Sequence, residues 1–125
     1  MRSIIGNSHR RADLTVHPDG RIDVSSYVAC QLDMHTGDIV DVCTDGEEYH
    51  LFIQGKKPDF GRYEGAVYAT RKIHNNHCYR LNSVRIARAL LEAAHGEGVI
   101  RLATGEPVTG DFGRKEIPII TARKI

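Results

Sequence analysis

The stretch "GRIDVSSYVACQLDMHTGDIVDV", Gly20 to Val42, packs a strand, a short helix, a turn and a second strand into very little chain. Ile22 and Val24 alternate with polar residues, as a half-buried strand requires. Ser25 and Ser26 supply a helix cap, and Val28 and Leu32 sit four apart on one face of a helix about two turns long. Thr36-Gly37-Asp38 turns the chain into the alternating run "IVDVCT".

Working outward, "ADLTVHPDGRIDV" places Leu14, Val16, Ile22 and Val24 around Pro18-Asp19-Gly20, which predicts a hairpin. "IVDVCT" and "EYHLFIQ" flank Asp45-Gly46 and predict a second one. The unit is ββαββ. "GKKPDFGRYEG", rich in Gly, Lys and Pro, then reads as a linker over residues 55–64. Beyond it, "AVYATRKIHNNHCYRL" predicts a hairpin around Asn75-Asn76, because Asn tolerates the left-handed region a tight turn needs. Asn82-Ser83 precedes a longer helix, "SVRIARALLEAAH", with Ile86, Leu90 and Ala93 on its buried stripe and Arg85, Arg88 and Glu92 outward. Gly96 and Gly98 end that helix, and "VIRLAT" and "EIPIITAR" complete a second ββαββ.

The order repeats. Val24-Ser25-Ser26 matches Leu81-Asn82-Ser83 at an offset of 57, and Val42-Cys43-Thr44 matches Leu102-Ala103-Thr104 at 60. One such unit cannot close a core, whereas two that exchange hairpins can curl into a small barrel without exposed edges. The expected fold is therefore mainly β with two short helices, a small closed β-barrel built in one domain over residues 1–125 from units at about 12–54 and 65–122. Strands between residues 14 and 24 are expected to pair with strands of the second half, and a pseudo-twofold axis should relate the helices containing Val28 and Ile86.

At 125 residues, 41% hydrophobic and 26% charged, the chain suits one modest core. No stretch approaches the length of a membrane span, and "MRSIIGNSHRRAD" lacks the apolar run of a signal peptide, so a cytoplasmic location is expected. Cys30, Cys43 and Cys78 form no disulfide framework and read as reduced, mostly buried thiols. The net charge of +1 hides an opposition. Residues 1–60 carry 6 Lys+Arg against 10 Asp+Glu, and residues 61–125 carry 11 against 6. Such asymmetry points to a polyanion partner for one face, or to an ordinary solvated surface.

The opening stretch resembles the AbrB-type swapped-hairpin (looped-hinge) family, whose pattern is Gly-Arg, a short strand, a short helix, then Leu-Gly-Ile-x-x-Gly-Asp and an alternating strand. Gly20-Arg21 opens it here, and Leu32-Asp33-Met34-His35-Thr36-Gly37-Asp38 follows without a gap. The resemblance covers about residues 12–54 clearly and 65–122 weakly. It implies a swapped-hairpin or related cradle-loop barrel in a bacterial or phage protein. It also implies double-stranded DNA binding as a transcription regulator, with contacts from arginines on the first hairpin and near the helix start. Arg21 stands at the family arginine, and Arg10 and Arg11 precede the first strand as a basic arm. Ser25 replaces the usual proline, Ala29 and Cys30 occupy the helix basic positions, and Asp23 sits beside Arg21. The second unit carries Arg71, Lys72, Arg80, Arg85 and Arg88, with Asn75 and Asn76 at a hairpin tip where they could probe base edges. The alternatives are a barrel that has lost DNA binding and serves oligomerisation or a protein partner, and an enzyme or ligand binder on a related barrel.

No cofactor is read from the sequence. "HNNHC", His74 to Cys78, offers metal-ligand chemistry, but no second cluster completes four-coordination, so no metal is expected. The remaining histidines, His50 among them, are scattered, and neither a Ser-His-Asp nor a Cys-His arrangement follows from spacing, so no catalytic residue is assigned.

Overall fold

The computed structural model describes residues 13–57, 63–73 and 76–124. The elements are β1 (Asp13–Val16), β2 (Arg21–Val24), α1 (Ser26–Gln31), β3 (Asp38–Thr44), β4 (Tyr49–Lys56), β5 (Tyr68–Ile73), β6 (Asn76–Asn82), α2 (Val84–Ala93), β7 (Ile100–Thr104), β8 (Val108–Thr109) and β9 (Lys115–Lys124). The strands make one curled antiparallel sheet, a half-barrel, in the order β3-β4-β9-β7-β1-β2-β6-β5, with β8 beside β9. No helix among the described residues is long and apolar enough to cross a membrane.

The first hairpin leaves its own half. β1 pairs with β7, setting Leu14 opposite Leu102, and β2 pairs with β6, setting Ile22 opposite Leu81 and Asp23 opposite Arg80. The expected exchange of strands between halves is therefore present. The helices follow it: α1 packs on β6, and α2 packs on β1, β2 and β9. Alternation along each strand aims Leu14, Val16, Ile22, Val24, Leu51, Leu81, Leu102 and Ile117 at a common interior, where each is less than 2% exposed. Burying eight such side chains supplies the main drive for curling the sheet.

Both helices begin and end alike. The Ser25 and Ser83 hydroxyls accept from the Val28 and Ile86 N–H groups at 3.4 and 3.1 Å. Each helix closes on a left-handed residue that is not glycine, Asp33 at φ 54° and His95 at φ 52°. The Asp33 and Met34 N–H groups donate to the Cys30 and Ala29 carbonyls, and those of His95 and Gly96 to Glu92 and Leu91. That is a Schellman closure repeated at an offset of 62. The α2 helix thus ends with His95 in the left-handed position and Gly96 donating the second closing bond. Its buried row is Ile86, Ala87, Leu90 and Ala94, with Ala93 only half-buried, because the stripe drifts round a 3.6-residue helix.

Four further expectations need adjustment. The Asp45-Gly46 hairpin has four loop residues, because Asp45 Oδ1 accepts from both Glu47 N and Glu48 N at 2.9 Å, which sets Cys43 opposite His50. The second half carries an extra short strand, β8, and a tight turn over Asp111–Gly113 before its last strand. The linker is shorter than residues 55–64: Gly55 and Lys56 belong to β4, and Gly65 already bonds to β3. There Val40 N donates to the Gly65 carbonyl, and the Gly37 and Val67 N–H groups donate to the Val67 and Asp38 carbonyls, each at 2.9 Å. Cys30 is exposed and Cys43 and Cys78 are half-buried, so the thiols are more accessible than expected.

Candidate nucleic-acid interface

The β2–β6 seam carries two of the cations singled out by sequence, Arg21 and Arg80. Asp23 and Arg80 face each other across it. The Arg80 Nε donates to Asp23 Oδ1 at 2.6 Å and its Nη2 to Oδ2 at 3.2 Å, a two-pronged pairing. His17 Nε2 lies 3.1 Å from the same Asp23 Oδ2. Burial alone would raise the Asp23 pKa, but the bonds from Arg80 and His17 outweigh it and hold the carboxyl below its ordinary value.

Arg21 turns back on its own hairpin, with Nε 3.0 Å from Asp19 Oδ2. The Arg21 backbone N–H, followed by the guanidinium, keeps Asp19 below its ordinary pKa. Arg85 leaves the first turn of α2 and reaches Asp41 Oδ1 with Nη2 at 3.2 Å and Glu64 Oε2 with Nε at 3.6 Å. Glu64 is itself fixed by the Ser83 hydroxyl at 2.5 Å. Three of the sequence-predicted cations are therefore already engaged by carboxylates of the same chain. Arg88 differs: it is exposed on the outer face of α2, with no carboxylate partner among the described residues.

Arg71 and Lys72 stand on β5 opposite Cys78 and His77, and Asn76 opens β6 opposite Ile73. Arg10, Arg11, His74 and Asn75 lie outside the described residues, as do the side chains of Arg71, Lys72, Asn76 and His77. The structure thus brings Arg21, Arg80 and Arg85 to the two strands and the helix start expected of them, and ties each to an acid there.

A second cluster was invisible from spacing. The carboxylate of Glu116 on β9 is buried, 4% exposed, and sits beside side chains from two other strands. His50 Nδ1 is 2.8 Å from Glu116 Oε1, Arg114 Nη2 donates to Oε2 at 2.7 Å, and Cys43 Sγ is 4.0 Å from Oε1. The Arg114 guanidinium also lies over the Phe52 ring, 3.6 Å from its centre. The other imidazole nitrogen, Nε2, meets Glu48 Oε1 at 3.1 Å. The hairpin register could have placed Cys43 beside His50, but nothing local announces a carboxylate 66 residues further on.

These are the residue types of a thiol protease site, arranged otherwise. In a nucleophilic pair one imidazole nitrogen faces the sulfur. Here both nitrogens face carboxylates, and burial together with the Glu116 charge pushes the Cys43 thiol above its ordinary pKa. The cluster holds charge and is not poised to attack. An open groove of about 670 Å³ lies elsewhere, between the linker end and β5, where Asn82 Nδ2 donates to the Tyr68 hydroxyl at 3.3 Å. Among the described residues no group of three or more His, Cys, Asp or Glu is placed to hold a metal.

Comparison with protein-family models, with curated proteins and with solved structures finds no match for this chain. The site's own chemistry therefore carries the functional argument.

Proposed function

We propose that the chain is a tandem swapped-hairpin barrel of AbrB type that binds duplex DNA through its second half, using the β5–β6 ribbon and the start of α2. The pairing order supports the tandem barrel. Exchanging β1 with β5, β2 with β6, β3 with β7 and β4 with β9 maps β2·β6 and β4·β9 onto themselves, and β1·β7 onto the contact of β3 with Ala66, next to β5. The matching Schellman closures support it too.

One observation carries the DNA reading. β2 covers β6 only over Tyr79 to Asn82, while β5 and β6 continue through the pairs Arg71–Cys78, Lys72–His77 and Ile73–Asn76. The hairpin therefore projects past β2 as a two-stranded ribbon roughly 10 Å long. A two-stranded ribbon fits the major groove, about 12 Å wide, and this one bears Arg71 and Lys72. Arg88, exposed on α2, which follows β6, is the further cation proposed for a phosphate contact. Arg21 contributes little, since Asp19 already holds it.

The test is duplex binding followed against salt. Replacing Arg71 and Lys72 together by alanine should weaken binding and flatten the slope of log affinity against log salt by about 1.8, two phosphates' worth. Arg21→Ala should leave the slope unchanged. Failure of the unaltered protein to bind duplex DNA at low salt refutes the proposal.

The rival reading, an oligomerisation or protein-interaction module, is favoured by one feature. Phe112 is fully exposed and held at φ 60°, where a non-glycine residue is strained. Sedimentation of the unaltered protein and of Phe112→Ser separates the two: only the interaction reading expects the substitution to lower the mass.

A further inference from the structure

We propose that His50, Glu48, Glu116, Arg114 and Cys43 form a proton-operated clamp across the β4–β9 seam, closed while the His50 imidazole carries two protons and loosened when one is lost.

The geometry requires the doubly protonated ring. Both His50 nitrogens lie within hydrogen-bond distance of carboxylate oxygens, Nδ1 at 2.8 Å from Glu116 and Nε2 at 3.1 Å from Glu48. A carboxylate only accepts, so each nitrogen must donate, and a neutral imidazole has a single N–H. Removing one proton sets a bare lone pair against a carboxylate.

The seam joins the two halves. His50 belongs to β4, in the first half, and lies opposite Pro118 on β9, the last strand of the second half. Glu116 is fixed from behind. A methyl group on Gly110 would collide with its carboxylate, and Arg114 occupies its second oxygen. The buried carboxylate cannot swing to water to follow a departing imidazolium.

Every titratable neighbour acts in a definite direction. Glu116 from β9 and Glu48 from the β3–β4 loop favour the charged ring, and Asp45 in the same loop adds a weaker attraction. Arg114 opposes it through space but is neutralised by Glu116. The Cys43 thiol stays protonated and neutral, and Asp111 adds negative charge near Arg114. Led by the bond to Glu116, the balance raises the His50 pKa above its ordinary 6.5. The folded value thus exceeds the unfolded one, so the clamp's stabilisation is fully present below about pH 6.5 and is lost as pH rises through the folded value.

Proton titration of the His50 ring by nuclear magnetic resonance on the full chain, with urea unfolding at pH 6 and pH 9, tests the clamp. His50 should titrate above 6.5, and the folding equilibrium constant should fall further between the two pH values than it does in His50→Gln. Glu48→Gln changes an exposed partner only, so it keeps the fold and should lower the His50 midpoint while retaining a titration. A midpoint at or below 6.5 overturns the proposal. So does a His50→Gln protein with the same fall as the unaltered one, or a Glu48→Gln midpoint that does not move should His50→Gln fail to fold. DNA binding enters none of these measurements.

Discussion

Replacing Gly65 by alanine should destabilise the protein more than replacing Gly37, and the difference measures how firmly β3 is joined to the segment ahead of β5. Both glycines have left-handed backbones, φ 81° at Gly65 and 94° at Gly37. An L-residue in that region costs about 1–2 kcal/mol, so this part is common to both substitutions. Their surroundings differ. A Cβ at Gly37 meets nothing within 4 Å, whereas one at Gly65 would lie 2.6 Å from the Val40 carbonyl oxygen. That oxygen is backbone of a paired strand and cannot turn aside.

Relief therefore requires β3 and residue 65 to separate, which stretches the bonds from Val40 N to the Gly65 carbonyl, 2.9 Å, and from Gly65 N to the Asn82 carbonyl, 3.1 Å. Each such bond is worth about 0.5–1.5 kcal/mol net. Gly65→Ala should cost about 2–5 kcal/mol and Gly37→Ala about 1–2. Urea unfolding of both variants reads the difference directly, provided the slopes agree. Equal costs would show that the Val40–Gly65 contact bears no strain, and the junction of β3 with the second half would then have to be abandoned as a structural joint.

Leu102→Ala removes a side chain with no exposure, opposite Leu14 on the exchanged hairpin, and should cost about 2–5 kcal/mol by the same assay. In a double-mutant cycle, Asp23→Ala and Arg80→Ala should couple by about 1 kcal/mol, modest because both side chains are partly exposed; zero coupling would mean that the two-pronged pairing does not exist in solution. On the acid side, the bonds from His50 and Arg114 hold the Glu116 pKa below 4.5, and Asp23 is held below 3.8. Their folded values lie beneath the unfolded ones, so this stabilisation is full above about pH 4.5 and disappears as pH falls through the folded values. Unfolding midpoints between pH 6 and pH 2 should show that descent, and Glu116→Gln should flatten part of it.

Local signals carried most of the element order. Gly20 at φ 106° and Gly46 at φ 100° sit where Pro-Asp-Gly and Asp-Gly announced turns, and Ser25 and Ser83 cap the helices that alternation and spacing located. The closing residues escaped because Asp33 and His95 adopt the left-handed region without being glycine, and although Asp and His enter it more readily than most residues, neither by itself announces a helix end. The linker boundary escaped because Gly55 and Lys56 look like loop residues but complete a ladder against Ile39 and Asp38. The Glu116 cluster escaped for a different reason. Its two pairs, Cys43 with His50 and Arg114 with Glu116, meet only after β4 pairs with β9, far away in sequence, and no period in one segment encodes that.

The opposed charges of the two halves acquire a meaning that counting along the chain does not reveal. Arg80, Arg85 and Arg101 of the second half bind Asp23, Asp41 and Asp13 of the first, and His50 of the first binds Glu116 of the second. Much of the basic excess thus answers the acidic excess inside the molecule, which leaves fewer cations for a polyanion than the totals suggest. In the tandem arrangement proposed above, Asp23 and Arg80 are equivalent positions, 57 residues apart, and they face each other across β2–β6. Two copies of the first unit paired in the same way would set Asp23 against Asp23, and two of the second would set Arg80 against Arg80. Either would place like charges directly opposite, an unfavourable cross-strand pair. The opposite signs at this one pair of positions therefore favour the union of unlike halves over the pairing of two like ones.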